Sequence, residues 1–65
     1  GDPRHFATVV GAAFSQRRKT LRNSLKPFLD AEDIAAVGID PGLRAEVLSP
    51  AEFVALSSRL TAKLL

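Results

Sequence analysis

Cysteine is absent from the 65 residues of this chain. The chain therefore has no disulfide framework and no site where thiolates hold a metal ion. A protein without disulfides suits a reducing compartment, and we expect a cytoplasmic location. Its length indicates one small domain (residues 1–65), near the lower limit for folding without a disulfide or a metal, and we expect a monomer.

Long apolar runs are also missing. The longest uncharged stretch before the first basic cluster covers residues 6–16. A helix that crosses a bilayer needs about 20 apolar residues, so this stretch is too short. Residues 1–5 lack the character of a signal peptide, and we expect no membrane contact.

No segment alternates apolar and polar residues with the period of a strand, and there is no internal repeat. Apolar residues instead recur at helical spacing. The first apolar stripe consists of Phe6, Val9, Val10, Ala13 and Phe14. The fold class predicted is all-α, a small bundle of four helices plus a single helical turn.

Prolines and capping residues predict the helix limits. The first helix should run from an Asp2 cap to residue 15 or 16. The second should start near Arg18, bury Leu21 and Leu25, and stop at Pro27. We expect Phe28 and Leu29 to follow in the core.

The second half of the chain carries three further start signals. Asp30 caps a short acidic helix that Gly38 closes, and Ile39 should be buried. Asp40 and Pro41 predict a single turn through residues 43–44. Ser49 and Glu52 form a capping box that opens the last helix, whose apolar face is predicted to be Phe53, Leu56, Leu60 and Leu64.

Charge is distributed unevenly along the chain. Residues 1–29 carry six basic side chains and one acidic, whereas residues 30–65 carry three basic and six acidic. A domain polarised in this way can present its basic half to a polyanion. The basic side chains are concentrated in Arg17, Arg18, Lys19, Arg22 and Lys26.

The segment Phe14–Leu25, FSQRRKTLRNSL, resembles the signature of the carboxy-terminal domain of the ribosomal RNA adenine dimethyltransferases. The likeness extends over most of the chain, through Gly38-Ile39-Asp40-Pro41, Arg44-Ala45-Glu46, Leu48-Ser49, Glu52-Phe53 and Leu56. The resemblance implies a parent enzyme with an amino-terminal Rossmann-like domain that binds S-adenosylmethionine. That enzyme dimethylates two adjacent adenines of small-subunit ribosomal RNA during subunit assembly.

The chain departs from the full enzyme in what it lacks. It has no glycine-rich nucleotide loop, no acidic partner for a ribose and no motif that would hold an extruded adenine. We therefore expect this fragment to be non-catalytic and to bind no cofactor. Its expected partners are the small ribosomal subunit or its RNA, and the amino-terminal catalytic domain of the parent.

The resemblance makes Arg17, Arg18 and Lys19 candidates for contacts to RNA phosphates, with Arg22 and Lys26 flanking them. No aromatic residue is interleaved with this basic run, so the sequence does not indicate base stacking. Recognition of the shape and phosphates of structured RNA fits better.

Other interpretations remain open. The chain could be a DNA- or protein-binding helical module unrelated to methylation, although the third helix is too short and acidic for a major groove. His5 is interpreted as ordinary surface. For Arg44 and Glu46, an ion pair or cap within their loop is favoured over an RNA surface.

Overall fold

The computed structural model describes residues 3–16 and 18–64. Their regular structure consists of four α-helices and one 3-10 turn, and no strand occurs among them: α1 Pro3–Ser15, α2 Leu21–Ser24, α3 Ala31–Ala36, the 3-10 turn Ala45–Val47 and α4 Pro50–Leu64. The all-α prediction is confirmed. The predicted cap at Asp2 lies outside the described residues.

The two long helices, α1 and α4, pack against each other in antiparallel orientation. At one end, His5 Nδ1 and Thr61 Oγ1 are joined by a hydrogen bond of 2.7 Å. At the other end, the ring centroids of Phe14 and Phe53 are 5.7 Å apart. No helix in the described part of the chain is long and apolar enough to cross a membrane.

The helix α2 is shorter than predicted, because it begins at Leu21 and not near Arg18. Its first amides are bound by a loop from much later in the chain: the N–H of Leu21 donates to the carbonyl of Leu43 at 2.7 Å, and that of Arg22 to the carbonyl of Pro41 at 3.0 Å. Thr20 is extended before this contact. The loop therefore fixes where α2 starts, and residues 18–19 remain in the turn between α1 and α2.

The turn predicted at Asp40 and Pro41 is present but shorter than predicted, and a separate 3-10 turn follows it. Asp40 organises a turn in which its Oδ1 accepts the N–H of Gly42 at 2.8 Å. The chain is then extended at Arg44, and the 3-10 turn begins only at Ala45. The N–H of Leu43 donates to the carbonyl of Asp40 at 3.1 Å, so the predicted turn is present as far as Leu43, and only its extension to Arg44 is wrong.

The helix caps predicted for the second half of the chain are confirmed. The N–H of Asp33 donates to Asp30 Oδ1 at 2.8 Å, and the N–H of Asp30 donates back to Asp33 Oδ2 at 3.2 Å. Ser49 and Glu52 form the same reciprocal pair, at 2.9 and 3.3 Å. Gly38, with φ of +81°, follows α3 in the left-handed conformation that closes a helix.

All elements contribute to one core, as the sequence predicted. Its fully buried large side chains are Val9, Leu21, Leu25, Leu29, Ile34 and Leu56, and Ile39 is buried as well.

Four residues predicted for the core or for an apolar helix face are exposed: Phe6, Phe14, Phe28 and Leu64. In the α1 stripe Phe6 is 36% and Phe14 44% exposed. Phe28 is 36% exposed because the turn after α2 directs its neighbour Leu29 inward instead. Leu64, the last residue of α4, is 65% exposed.

Candidate nucleic-acid interface

The described basic side chains of residues 18–26 lie on the outside of a segment whose other side is anchored in the core. Arg18, Lys19, Arg22 and Lys26 are exposed. The anchor is formed by the fully buried side chains of Leu21 and Leu25. Arg17, the fifth candidate, lies outside the described residues.

None of these four exposed cations takes part in an ion pair. The ion pairs in the described part of the chain instead join Arg59 Nε to Asp33 Oδ1 at 3.0 Å and Lys63 Nζ to Asp33 Oδ2 at 2.6 Å. The basic side chains of α4 are thus neutralised within the molecule. Those of the α1–α2 turn and of α2 remain available to an external anion.

The four cations border three depressions: two shallow ones among the basic residues themselves, and a third where Lys26 faces Phe28, Leu60 and Lys63. Arg18 and Lys19 line the first, together with Ser15 and Gln16 at the end of α1. The second is lined by Arg22, Asn23, Lys26, Asp30 and Ala31. Shallow, open surfaces of this kind suit contacts to a nucleic-acid backbone better than enclosure of a small molecule.

Arg44 lies next to this basic surface, although it is distant in sequence. The hydrogen bond from Leu21 to the carbonyl of Leu43 places Arg44 beside the start of α2. Its side chain is exposed, forms no cap on the 3-10 turn and forms no ion pair with Glu46, so the preferred sequence interpretation of these two residues is wrong. The position of Arg44 depends on a contact between loops that no local pattern indicates.

The sequence predicted Asp33 only as part of the acidic first turn of α3 and did not indicate its contacts with α4. Its side chain is buried and accepts hydrogen bonds from Lys63, Arg59 and the N–H of Asp30. The bond from Lys63 is the main reason that the pKa of Asp33 lies well below its usual range, and the same contact raises the pKa of Lys63. The spacing of Arg59 and Lys63, four apart on one side of α4, is compatible with a shared partner but does not identify it.

His5 is half-buried and connects α1 to α4, so its interpretation as ordinary surface is wrong. Thr61 Oγ1 donates to the carbonyl of Ser57, which leaves it to accept from His5 Nδ1. No group of side chains in the described residues could hold a metal ion.

The described residues do not fit S-adenosylmethionine. Gly11 lies inside α1, whereas Gly38 and Gly42 occupy separate turns, so no glycine-rich loop follows a strand. The carboxylate of Asp33, which is buried, is fully engaged with α3 and α4. The expectation that the chain binds no cofactor remains a prediction.

Comparison with known proteins identifies relatives of this chain. No protein family model matches it. It is 58% identical over 55 residues to ribosomal RNA small subunit methyltransferase A of Aromatoleum aromaticum, covering 85% of this chain and 21% of that protein. The proteins of the same name from Thiobacillus denitrificans and Pseudomonas aeruginosa are 55% and 56% identical, over 89% and 91% of this chain and 23% and 22% of their own lengths.

The chain thus spans less than a quarter of the length of these curated relatives. The aligned regions cover 85–91% of this chain at 55–58% identity, which confirms the resemblance found in the sequence. This chain corresponds to one segment of the proteins of the ribosomal RNA small subunit methyltransferase A family.

Proposed function

We propose that the chain is the RNA-binding, substrate-positioning domain of an S-adenosylmethionine-dependent dimethyltransferase that acts on adenines of small-subunit ribosomal RNA. In this proposal the domain itself is non-catalytic and monomeric. Its partners are the small ribosomal subunit in the cytoplasm and the amino-terminal catalytic domain of the parent enzyme. The names of the relatives support the class of substrate.

The observation that carries this proposal is the contrast between two sets of cations. Arg59 and Lys63 bind Asp33 within the molecule. Arg18, Lys19, Arg22 and Lys26 are exposed without such partners. Because exposed, unneutralised cations attract the phosphates of a polyanion, the face around the α1–α2 turn is the best place on this chain for RNA.

The chemistry of these residues suits phosphate groups. Guanidinium groups donate in a planar fork that matches two phosphate oxygens, and lysine supplies a mobile point charge. These contacts position a nucleic acid without reading its sequence. Such a domain would orient a structured RNA while the adenine is methylated elsewhere in the parent enzyme.

The alternative of a DNA-binding helix-turn-helix has less support. Its recognition helix would have to be α3, which has six residues. Asp33 of α3 is tied to α4, and Glu32 adds negative charge to the exposed side. A short acidic helix is unsuited to the phosphate-lined major groove.

Neutralising the turn tests the proposal. We expect the double variant Arg18→Gln and Lys19→Gln to bind small-subunit ribosomal RNA about tenfold more weakly, because each exposed ion pair contributes up to about 1 kcal/mol and a factor of ten corresponds to about 1.4 kcal/mol. Its helical circular dichroism should be unchanged, since both side chains are exposed. Filter binding at one moderate salt concentration measures the affinity.

A matched control separates this local effect from net charge. The double variant Ala35→Glu and Ala62→Glu lowers the net charge by the same amount at exposed positions on α3 and α4. It should retain most of the affinity. If both double variants lose affinity equally, or neither does, the basic turn is not the RNA-binding surface.

A further inference from the structure

An exposed aromatic ring lies at the same end of the bundle as the basic turn. Because α1 and α4 are antiparallel, the end where Phe14 meets Phe53 is also the end from which the α1–α2 turn leaves. Phe14 is the last apolar residue of α1 and is 44% exposed. Its neighbour Ser15 lines the depression that Arg18 and Lys19 border.

The ring of Phe14 is supported from behind. Phe53, only 6% exposed, packs against it with the two ring planes tilted by 35°. Phe53 is in turn held by the first turn of α4, which the Ser49–Glu52 capping box fixes. The exposed part of the Phe14 ring is therefore presented by the core and not by a mobile loop.

We propose that Phe14 stacks on an unpaired nucleobase of the RNA whose phosphates are bound by Arg18 and Lys19. This inference rests on the proposed function and adds a contact of a different kind. Aromatic side chains beside a cationic groove are the usual platform for unpaired bases, because every base has a π-face. The sequence did not indicate stacking because Phe14 precedes the basic run and is not interleaved with it.

The stacking contact adds selectivity for unpaired nucleotides, which phosphate contacts do not provide. Cations alone hold a backbone in place, but they do not distinguish a paired from an unpaired nucleotide. A ring beside them favours RNA in which a base is free to leave its helix. The domain would then select a single-stranded or bulged position next to the phosphates that it binds.

The lack of tryptophan and tyrosine in the chain allows a direct test. The variant Phe14→Trp carries the only indole, and a stacked nucleobase should quench its fluorescence. The matched control is Phe6→Trp, which places the indole on the same helix, at a residue 36% exposed, two turns away. Both variants are titrated with small-subunit ribosomal RNA, and thermal melts confirm that they fold like the wild type.

We expect quenching that saturates with binding for Phe14→Trp and little change for Phe6→Trp. A second variant, Phe14→Leu, should weaken binding about tenfold, the scale of one lost stacked base. It should leave the salt dependence of binding unchanged, because no charge is removed.

Two outcomes would overturn the inference in different ways. If the RNA binds but the indole at position 14 is not quenched, and Phe14→Leu binds like the wild type, the stacking contact is absent while the proposed function stands. If the wild-type chain does not bind the RNA at all, both proposals fail.

Discussion

At the scale of single residues, the buried carboxylate of Asp33 connects α3 to α4. Two cations of α4 and the amide of Asp30 converge on it. These contacts favour the ionised form, so the pKa of Asp33 is lower in the folded chain than in the unfolded chain. A carboxylate with a lowered pKa stabilises the fold above its unfolded pKa, and this contribution is lost as the pH falls toward the folded pKa.

This gives a pH-dependent prediction. At pH 7 the variant Asp33→Asn should melt at a lower temperature than the wild type, because Arg59 and Lys63 lose their common partner. The difference in melting temperature should shrink as the pH falls below about 4, where the carboxylate becomes protonated in the unfolded chain. Thermal melts across this range measure it, with Glu32→Gln, an exposed carboxylate of the same helix, as the control. A difference that stays constant down to pH 2.5 would contradict the account.

At the scale of the elements, the sequence predicted helix limits that depend on residues close in the chain. It did not predict the helix limit that depends on distant residues. The capping boxes at Asp30 and Ser49 join residues three apart, and their sequence patterns predicted them. The start of α2 depends instead on the carbonyls of Pro41 and Leu43, about twenty residues later. The same reason explains why neither the position of Arg44 nor the partners of Asp33 could be read from local spacing.

The capping box of α4 should be measurable as stability. Ser49→Ala removes the hydroxyl that accepts the N–H of Glu52, and the loss should be about 1 kcal/mol, the usual scale for an N-cap. Ser58→Ala, at an exposed position inside α4, is the control and should change little. Urea unfolding gives both values. Equal effects of the two substitutions would show that the cap does not stabilise the helix.

At the scale of the whole molecule, the fold distinguishes two groups of cations, one bound within the chain and one exposed to solvent. The two basic side chains of α4 bind Asp33 in ion pairs, whereas Arg18, Lys19, Arg22 and Lys26 of the basic segment are exposed. The basic segment is anchored by Leu21 and Leu25, so its charges are presented by a packed core. A compact domain of about 29 × 21 × 20 Å can therefore serve as a rigid electrostatic contact for a much larger RNA.

The salt dependence of RNA binding tests this central claim most directly. The comparison is between the wild type and a variant with Arg18, Lys19, Arg22 and Lys26 all replaced by Gln, titrated with small-subunit ribosomal RNA at several salt concentrations. Each phosphate contact contributes about 0.9 to the slope of log affinity against log salt on a duplex and about 0.7 on a single strand. We predict a steep wild-type slope and a clearly flatter one for the variant, whereas equal slopes would show that these cations do not bind phosphates and would contradict the account.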